Sequence, residues 1–110
     1  MLCIKTEYKK GVLFVRLDGR SDNEGYLNKI NWLIEEIGIK FTVLNITHLN
    51  DITRKTIDNI VSNIKLQRKK KHHLLICDEN RLRNIYVKSI PKLSNETEAF
   101  SFIERKDVYE

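Results

Sequence analysis

The stretch Val43-Leu44-Asn45-Ile46-Thr47-His48-Leu49-Asn50-Asp51-Ile52-Thr53-Arg54-Lys55-Thr56-Ile57-Asp58-Asn59-Ile60-Val61 reads as a strand, a short loop and an amphipathic helix. Phe41 to Ile46 is an apolar run broken only by Thr42 and Asn45, short enough for a strand buried on both faces in a mainly parallel sheet. It is the candidate central strand. After a loop over His48 to Ile52, the residues Ile57, Ile60, Val61, Ile64 and Leu66 recur at helical spacing, and Thr53 is placed to cap that helix.

Upstream, residues 2 to 8 form a first strand, and Lys9-Lys10-Gly11 turns the chain into Val12 to Gly19, a second run of strand composition. So short a connection makes the pair an antiparallel hairpin. Ser21, Asp22 or Asn23 then caps a helix carrying Tyr26, Leu27, Ile30, Leu33, Ile34 and Ile37 on one face, with Trp32 at its margin and Gly38 as its stop.

Downstream, the basic run Arg68-Lys69-Lys70-Lys71 closes the second helix, and His73-Leu74-Leu75-Ile76-Cys77 supplies another short strand. Residues 78 to 89 carry Leu82, Ile85 and Tyr86 at the spacing of a third, shorter helix that Pro91 prevents from continuing. Lys92-Leu93-Ser94 fits a short edge strand. Asn95-Glu96-Thr97-Glu98 opens a last helix with acidic residues where the dipole favours them, and Ala99, Phe100 and Ile103 form its inner face. The chain divides into one domain over residues 1 to 104 and a frayed tail over 105 to 110. Its class is α/β, a mixed sheet of four to five strands that opens on an antiparallel hairpin and continues as alternating helices and strands.

Composition narrows the function classes. With 110 residues and 41% of them hydrophobic, one sizeable core can form. The net charge of +5 permits acidic partners, but Lys and Asn are abundant in the whole chain, so charge alone does not make it a nucleic-acid binder. No apolar run approaches the roughly 20 residues that span a bilayer, and Met1 to Lys5 lack the pattern of a signal peptide, so a cytoplasmic location without membrane insertion is expected. Cys3 and Cys77 are too few for a disulfide framework and read as small apolar residues. There is no Gly-rich phosphate loop, nucleophile elbow or His-Glu-x-x-His motif, and the adjacent His72 and His73 point to opposite faces of a strand. His48, Cys77 and Asp78 lack the spacing of a ligand or nucleophile set. No enzyme activity, metal or cofactor is expected.

The order hairpin, helix, strand, helix, strand, helix, opened by Lys9-Lys10-Gly11-Val12-Leu13-Phe14-Val15-Arg16-Leu17-Asp18-Gly19, resembles the STAS domain of bacterial anti-sigma factor antagonists, the SpoIIAA-like fold. In that family a strand of the form V-L-D-L-S-x-V leads to an Asp-Ser-Ser-Gly motif at a helix start, and Val43 to Ile52 aligns without gaps up to that motif. Gly19-Arg20-Ser21-Asp22 is similar to the family's Gly-Glu-Leu-Asp, and Glu98-Ala99-Phe100-Ser101-Phe102-Ile103 to its closing helix. The resemblance implies a regulatory module that docks an anti-sigma factor or a related ATP-binding regulatory kinase.

The motif itself departs from the family. Thr53 stands at the Asp, Arg54 at the first Ser, Lys55 at the Ser that the family phosphorylates, and Thr56 at the Gly. A phosphate there adds about −1.5 to −2 charges, whereas Lys55 carries a fixed positive one. The Ser switch is therefore not expected; Thr53 and Thr56 keep hydroxyls beside the position as alternative phosphoacceptors, although capping and solvation explain them more simply. The expected docking residues are Asp22, Asn50, Asp51, Thr53, Arg54, Lys55, Thr56, Asp58 and Asn59. Arg54 and Lys55 oppose the helix dipole unless an anion or acidic surface meets them, or unless Asp51 and Asp58 balance them.

Two other readings differ in kind. One is a nucleic-acid-binding module using Arg68 to His73 with Arg81 and Arg83, disfavoured because no aromatic residue is interleaved with the basic run. The other is an accessory STAS subunit of a larger assembly, such as a stressosome-like body or a transporter's regulatory component.

Overall fold

The computed structural model describes residues 2–20, 25–80 and 90–108. They form β1 (Cys3–Lys9), β2 (Val12–Arg20), α1 (Gly25–Ile37), β3 (Phe41–Asn50), α2 (Arg54–Lys69), β4 (His73–Cys77) and α3 (Glu96–Val108). The four strands lie in the order β1-β2-β3-β4. β1 and β2 pair antiparallel, whereas β2 with β3 and β3 with β4 pair parallel. This is the mixed α/β sheet expected, with β3 in its interior. A parallel bridge between Cys77 and Leu93 is as much as the proposed edge strand at Lys92-Leu93-Ser94 contributes.

Period-two alternation splits the core between the two sheet faces. Leu13, Val15 and Leu17 of β2, Leu44 and Ile46 of β3, and Leu74 and Ile76 of β4 pack with Tyr26, Leu27, Ile30 and Ile34 of α1 and Ile60 and Ile64 of α2. Val12, Phe14, Phe41, Val43, Leu75 and Cys77 project the other way, onto Ala99 and Ile103 of α3. The described residues thus form three layers, with α1 and α2 on one face of the sheet and α3 on the other.

Local chemistry sets the ends of these elements. Lys10 (φ 52°) and Gly11 (φ 79°) form the two-residue turn of the β1–β2 hairpin, whose positive φ values match the twist of the strands. Gly38 (φ 74°) stops α1: the N–H groups of Gly38 and Ile39 both donate to the Ile34 carbonyl, at 2.9 and 3.0 Å. α2 ends the same way without a glycine. Lys71 (φ 65°) takes the left-handed position, its N–H donating to the Arg68 carbonyl and that of His72 to Gln67.

Three expectations need amendment. The loop placed over His48 to Ile52 is shorter, because β3 runs to Asn50. A bulge opposite Arg16 to Asp18 inserts an extra β3 residue, so Leu49 returns to the core and His48 pairs with Asp18. Trp32 and Ile37, placed on or beside the apolar stripe of α1, are 61% and 64% exposed. Among the described residues α1 packs on the sheet and α2, and its buried face is the narrower set Tyr26, Leu27, Ile30 and Ile34. Residues 105 to 108, read as tail, continue the helical backbone of α3. The helix expected over residues 78 to 89 and the capping residues Ser21, Asp22 and Asn23 lie largely or wholly outside the described residues.

Candidate functional site

The β3–α2 junction is built by short-range hydrogen bonding. Asp51 takes a positive φ of 52°, a conformation Asp tolerates better than most residues, and its carboxylate accepts a 2.6 Å hydrogen bond from Nε of Arg20 at the end of β2. Ile52 tucks against the core. Thr53 caps α2: its Oγ1 accepts the N–H of Thr56 at 3.2 Å, and Oγ1 of Thr56 accepts the N–H of Thr53 at 3.4 Å. This is a capping box with Thr in the place usually held by Glu or Gln.

The first turn of α2 contains no acidic residue. Arg54 projects into solvent with its side chain 91% exposed and reaches back to Asp58 one turn later, Nε to Oδ1 at 3.3 Å. Lys55 is exposed and has no ionic partner among the described residues. The junction thus brings together Asn50, Asp51, Thr53, Arg54, Lys55, Thr56 and Asp58 at one corner, with half-buried Asn59 on the next turn. The balance expected from Asp51 and Asp58 is divided, since Asp51 serves Arg20 and Asp58 serves Arg54. Asp22 lies outside the described residues. Replacing Thr53 by Ala removes a cap worth about 1 kcal/mol, and thermal unfolding of T53A is expected to show a drop of a few degrees.

A second polar cluster, on the α3 face of the sheet, was not foreseen. Arg16 and Asn45 are register partners on β2 and β3, and Asn45 pairs in turn with Cys77 on β4. Glu96 at the start of α3 closes over this row. Its two carboxylate oxygens accept from Arg16, Nη2 to Oε1 at 2.7 Å and Nε to Oε2 at 2.8 Å, and Oε2 also accepts from Nδ2 of Asn45 at 2.8 Å. Glu7 of β1 binds Arg16 Nη2 at 2.9 Å. Oδ1 of Asn45 accepts from the N–H of Thr47 at 3.0 Å and from its hydroxyl at 2.6 Å. Arg16 and Asn45 continue the inward alternation of Phe14 and Val43, and that period was the available signal.

The electrostatics follow the contacts. The hydrogen bonds from Arg16 hold the Glu96 carboxyl below its usual range, and those to Glu96 and Glu7 raise the guanidinium's value. Burial pushes the Cys77 thiol up to about 12, so it stays neutral and poorly nucleophilic. Asp78 uses Oδ1 to hold the N–H of Asn80 at 2.9 Å, and His48 is exposed on the bulge. These groups make no nucleophile set.

A third polar group joins α1 to α2. Asn31 donates to Asn63 at 2.7 Å and accepts from Gln67 at 2.8 Å, and Gln67 Oε1 faces Nδ1 of His72 at 3.0 Å. Lys70, from the basic run, pairs with Glu35 of α1. Arg68 and His73 border a half-open cavity of about 350 Å³ with Phe41 and Phe102, bringing aromatic rings nearer the basic run than the sequence suggested. Phe41 is buried there and stacks on His73, ring centres 5.3 Å apart. Among the described residues, no three His, Cys, Asp or Glu side chains group to hold a metal, and no helix is long and apolar enough to cross a membrane.

This architecture has close counterparts among solved structures. An anti-sigma factor antagonist from Mycobacterium paratuberculosis superposes with a TM-score of 0.76 at 13% identity, over 94% of this chain and 95% of that one. The anti-sigma factor antagonist SpoIIAA in its unphosphorylated form gives 0.65 at 13% identity, over 93% and 98%. An uncharacterised Shewanella loihica protein with a SpoIIAA-like fold gives 0.54 at 14% identity, over 92% of each chain. No known family's sequence profile and no curated protein sequence matches the chain. The fold is therefore that of a STAS-like domain, recognisable in three dimensions at an identity too low to carry function with it.

Proposed function

We propose that the chain is a non-enzymatic, cytoplasmic regulatory module of the anti-sigma factor antagonist type, which docks a protein partner through the β3–α2 junction. The carrying observation is the character of that corner: a helix start closed by a capping box that leaves Arg54 and Lys55 exposed, the latter without an ionic partner among the described residues. Unbalanced positive charge at a helix N-terminus is unfavourable in isolation, and an acidic partner surface relieves it. The docking set is Asn50, Asp51, Thr53, Arg54, Lys55, Thr56, Asp58 and Asn59, to which the resemblance adds Asp22. The partner is an anti-sigma factor or a related ATP-binding regulatory kinase with an acidic contact surface.

On this reading Lys55 replaces a switchable charge by a fixed one, so binding does not depend on serine phosphorylation. The test is capture of partners from the native host by the wild type and by the double variant R54E/K55E. The wild type is expected to retain a regulatory protein that the variant loses by at least tenfold. The variant should remain folded, because acidic residues in the first turn suit the dipole by about 0.3–1 kcal/mol each. Equal capture by both proteins, or no regulatory partner for either, refutes the assignment.

A further inference from the structure

β1 is the edge strand of the sheet, and six of its seven residues are exposed. Tyr8 is among the most exposed large side chains, at 60%. In a hairpin closed by a two-residue turn, the residues flanking the turn form a hydrogen-bonded pair, and such pairs then alternate along the ladder. Lys9 and Val12 flank the turn here, so Cys3, Lys5, Glu7 and Lys9 direct their backbone groups at β2. The N–H and C=O groups of Ile4, Thr6 and Tyr8 accordingly point away from the sheet, and among the described residues no strand pairs with them.

We propose that this edge is a homodimer interface, in which β1 pairs antiparallel with β1 of a second copy about a two-fold axis through Thr6. The charge pattern selects that register. A two-fold axis normal to the sheet joins residues of the same face, so the choices differ by steps of two residues. Centring on Lys5 opposes lysine to lysine. Centring on Glu7 opposes glutamate to glutamate, and Lys5 to Lys9. Only the register centred on Thr6 sets each Lys5 against the other copy's Glu7, and it also overlaps the whole strand.

Four further features agree with this register. Ile4, Thr6 and Tyr8 form its hydrogen-bonded positions, matching their outward backbone groups. Lys5 and Glu7 fall at the non-hydrogen-bonded positions, where side chains approach most closely. Ile4 of one copy lies across from Tyr8 of the other on a single face, giving the exposed ring an apolar neighbour. Glu7 already accepts from Arg16 through Oε1 at 2.9 Å, while among the described residues its Oε2 has only a distant Lys9 at 3.8 Å and can receive Lys5. Lysines on an edge strand usually block pairing; here the register turns one of them into an attractive contact.

Sedimentation velocity of the purified full chain, from micromolar to near-millimolar concentration, tests the interface. The wild type is expected to dimerise reversibly. Thr6→Pro removes an outward N–H while leaving the β1–β2 ladder its hydrogen bonds, so it should be monomeric at every concentration with its circular dichroism spectrum unchanged. Lys5→Glu puts two like-charge pairs in the interface and should weaken the dimer about tenfold. Lys9→Glu makes the same change in net charge but faces Cys3 of the other copy, and should leave the dimer nearly as strong as wild type. A wild type that stays monomeric throughout overturns the proposal. So does a dimer indifferent to Thr6→Pro, or one weakened as much by Lys9→Glu as by Lys5→Glu.

Discussion

Leu44→Ala is expected to remove about 3–4 kcal/mol of folding stability and to lower the melting temperature by roughly 10–20 °C. Leu44 lies on interior strand β3, between its register partners Val15 on β2 and Ile76 on β4. It is fully buried on the face covered by α1 and α2. Truncation loses the transfer energy of the deleted carbons and leaves a void that neighbours tied into two ladders cannot close. A domain of this size has only about 5–15 kcal/mol in all, so the variant should remain folded at room temperature but melt early.

The informative control is Ile37→Ala. Ile37 is also a branched aliphatic residue in a regular element, but its exposure places it outside the core. Its loss should change stability by no more than about 0.5 kcal/mol. Urea unfolding of the two variants separates the cases. Similar losses from both would mean that α1 packs through a broader face than Tyr26, Leu27, Ile30 and Ile34.

What the sequence revealed depended on the range of the interactions involved. Thr53 was readable as a cap because its partner is three residues away, and the hairpin turn, Gly38 and the strand composition of β2 and β3 are equally local. The bulge in β3 was not, since Leu49 breaks the period-two pattern in the same way as a residue entering a loop; only the pairing with Asp18 to Arg20 distinguishes the two. The Arg16–Glu96 contact spans 80 positions, and no periodicity reports it. Glu96 could be read as an acidic residue suited to a helix start, but not as the one that closes a polar row on the sheet. At the candidate site the same division holds. The cap and the Arg54–Asp58 spacing were legible, whereas the recruitment of Asp51 by Arg20 required the fold.

That long-range contact carries the other large effect. Glu96→Gln should destabilise the domain by about 1–2 kcal/mol near neutral pH, since a charge-assisted hydrogen bond contributes more than a neutral one. The figure is held down because Arg16 is 40% exposed and keeps Glu7 as a partner. Loss of the carboxylate also weakens the hold on α3, whose first turn is otherwise fixed by Asn95 accepting the N–H of Glu98 at 2.8 Å.

The pH dependence identifies the charge as the cause. The folded-state value of Glu96 lies below its ordinary 4.5, chiefly through the hydrogen bonds from Arg16. A group depressed in the folded state contributes its stability fully above the unfolded value and loses it as pH falls through the folded one. The wild-type advantage over E96Q should therefore be constant from about pH 7 to about pH 5.5 and shrink steadily toward about pH 3. Glu35, also held below its usual range by the hydrogen bond from Lys70, is common to both proteins and leaves a residual acid slope in the variant. Melting temperatures measured across this range decide the matter. A difference between the two proteins that persists undiminished at the acid end would mean that Glu96 acts through shape and packing, and that the carboxylate is not what fastens α3 to the sheet.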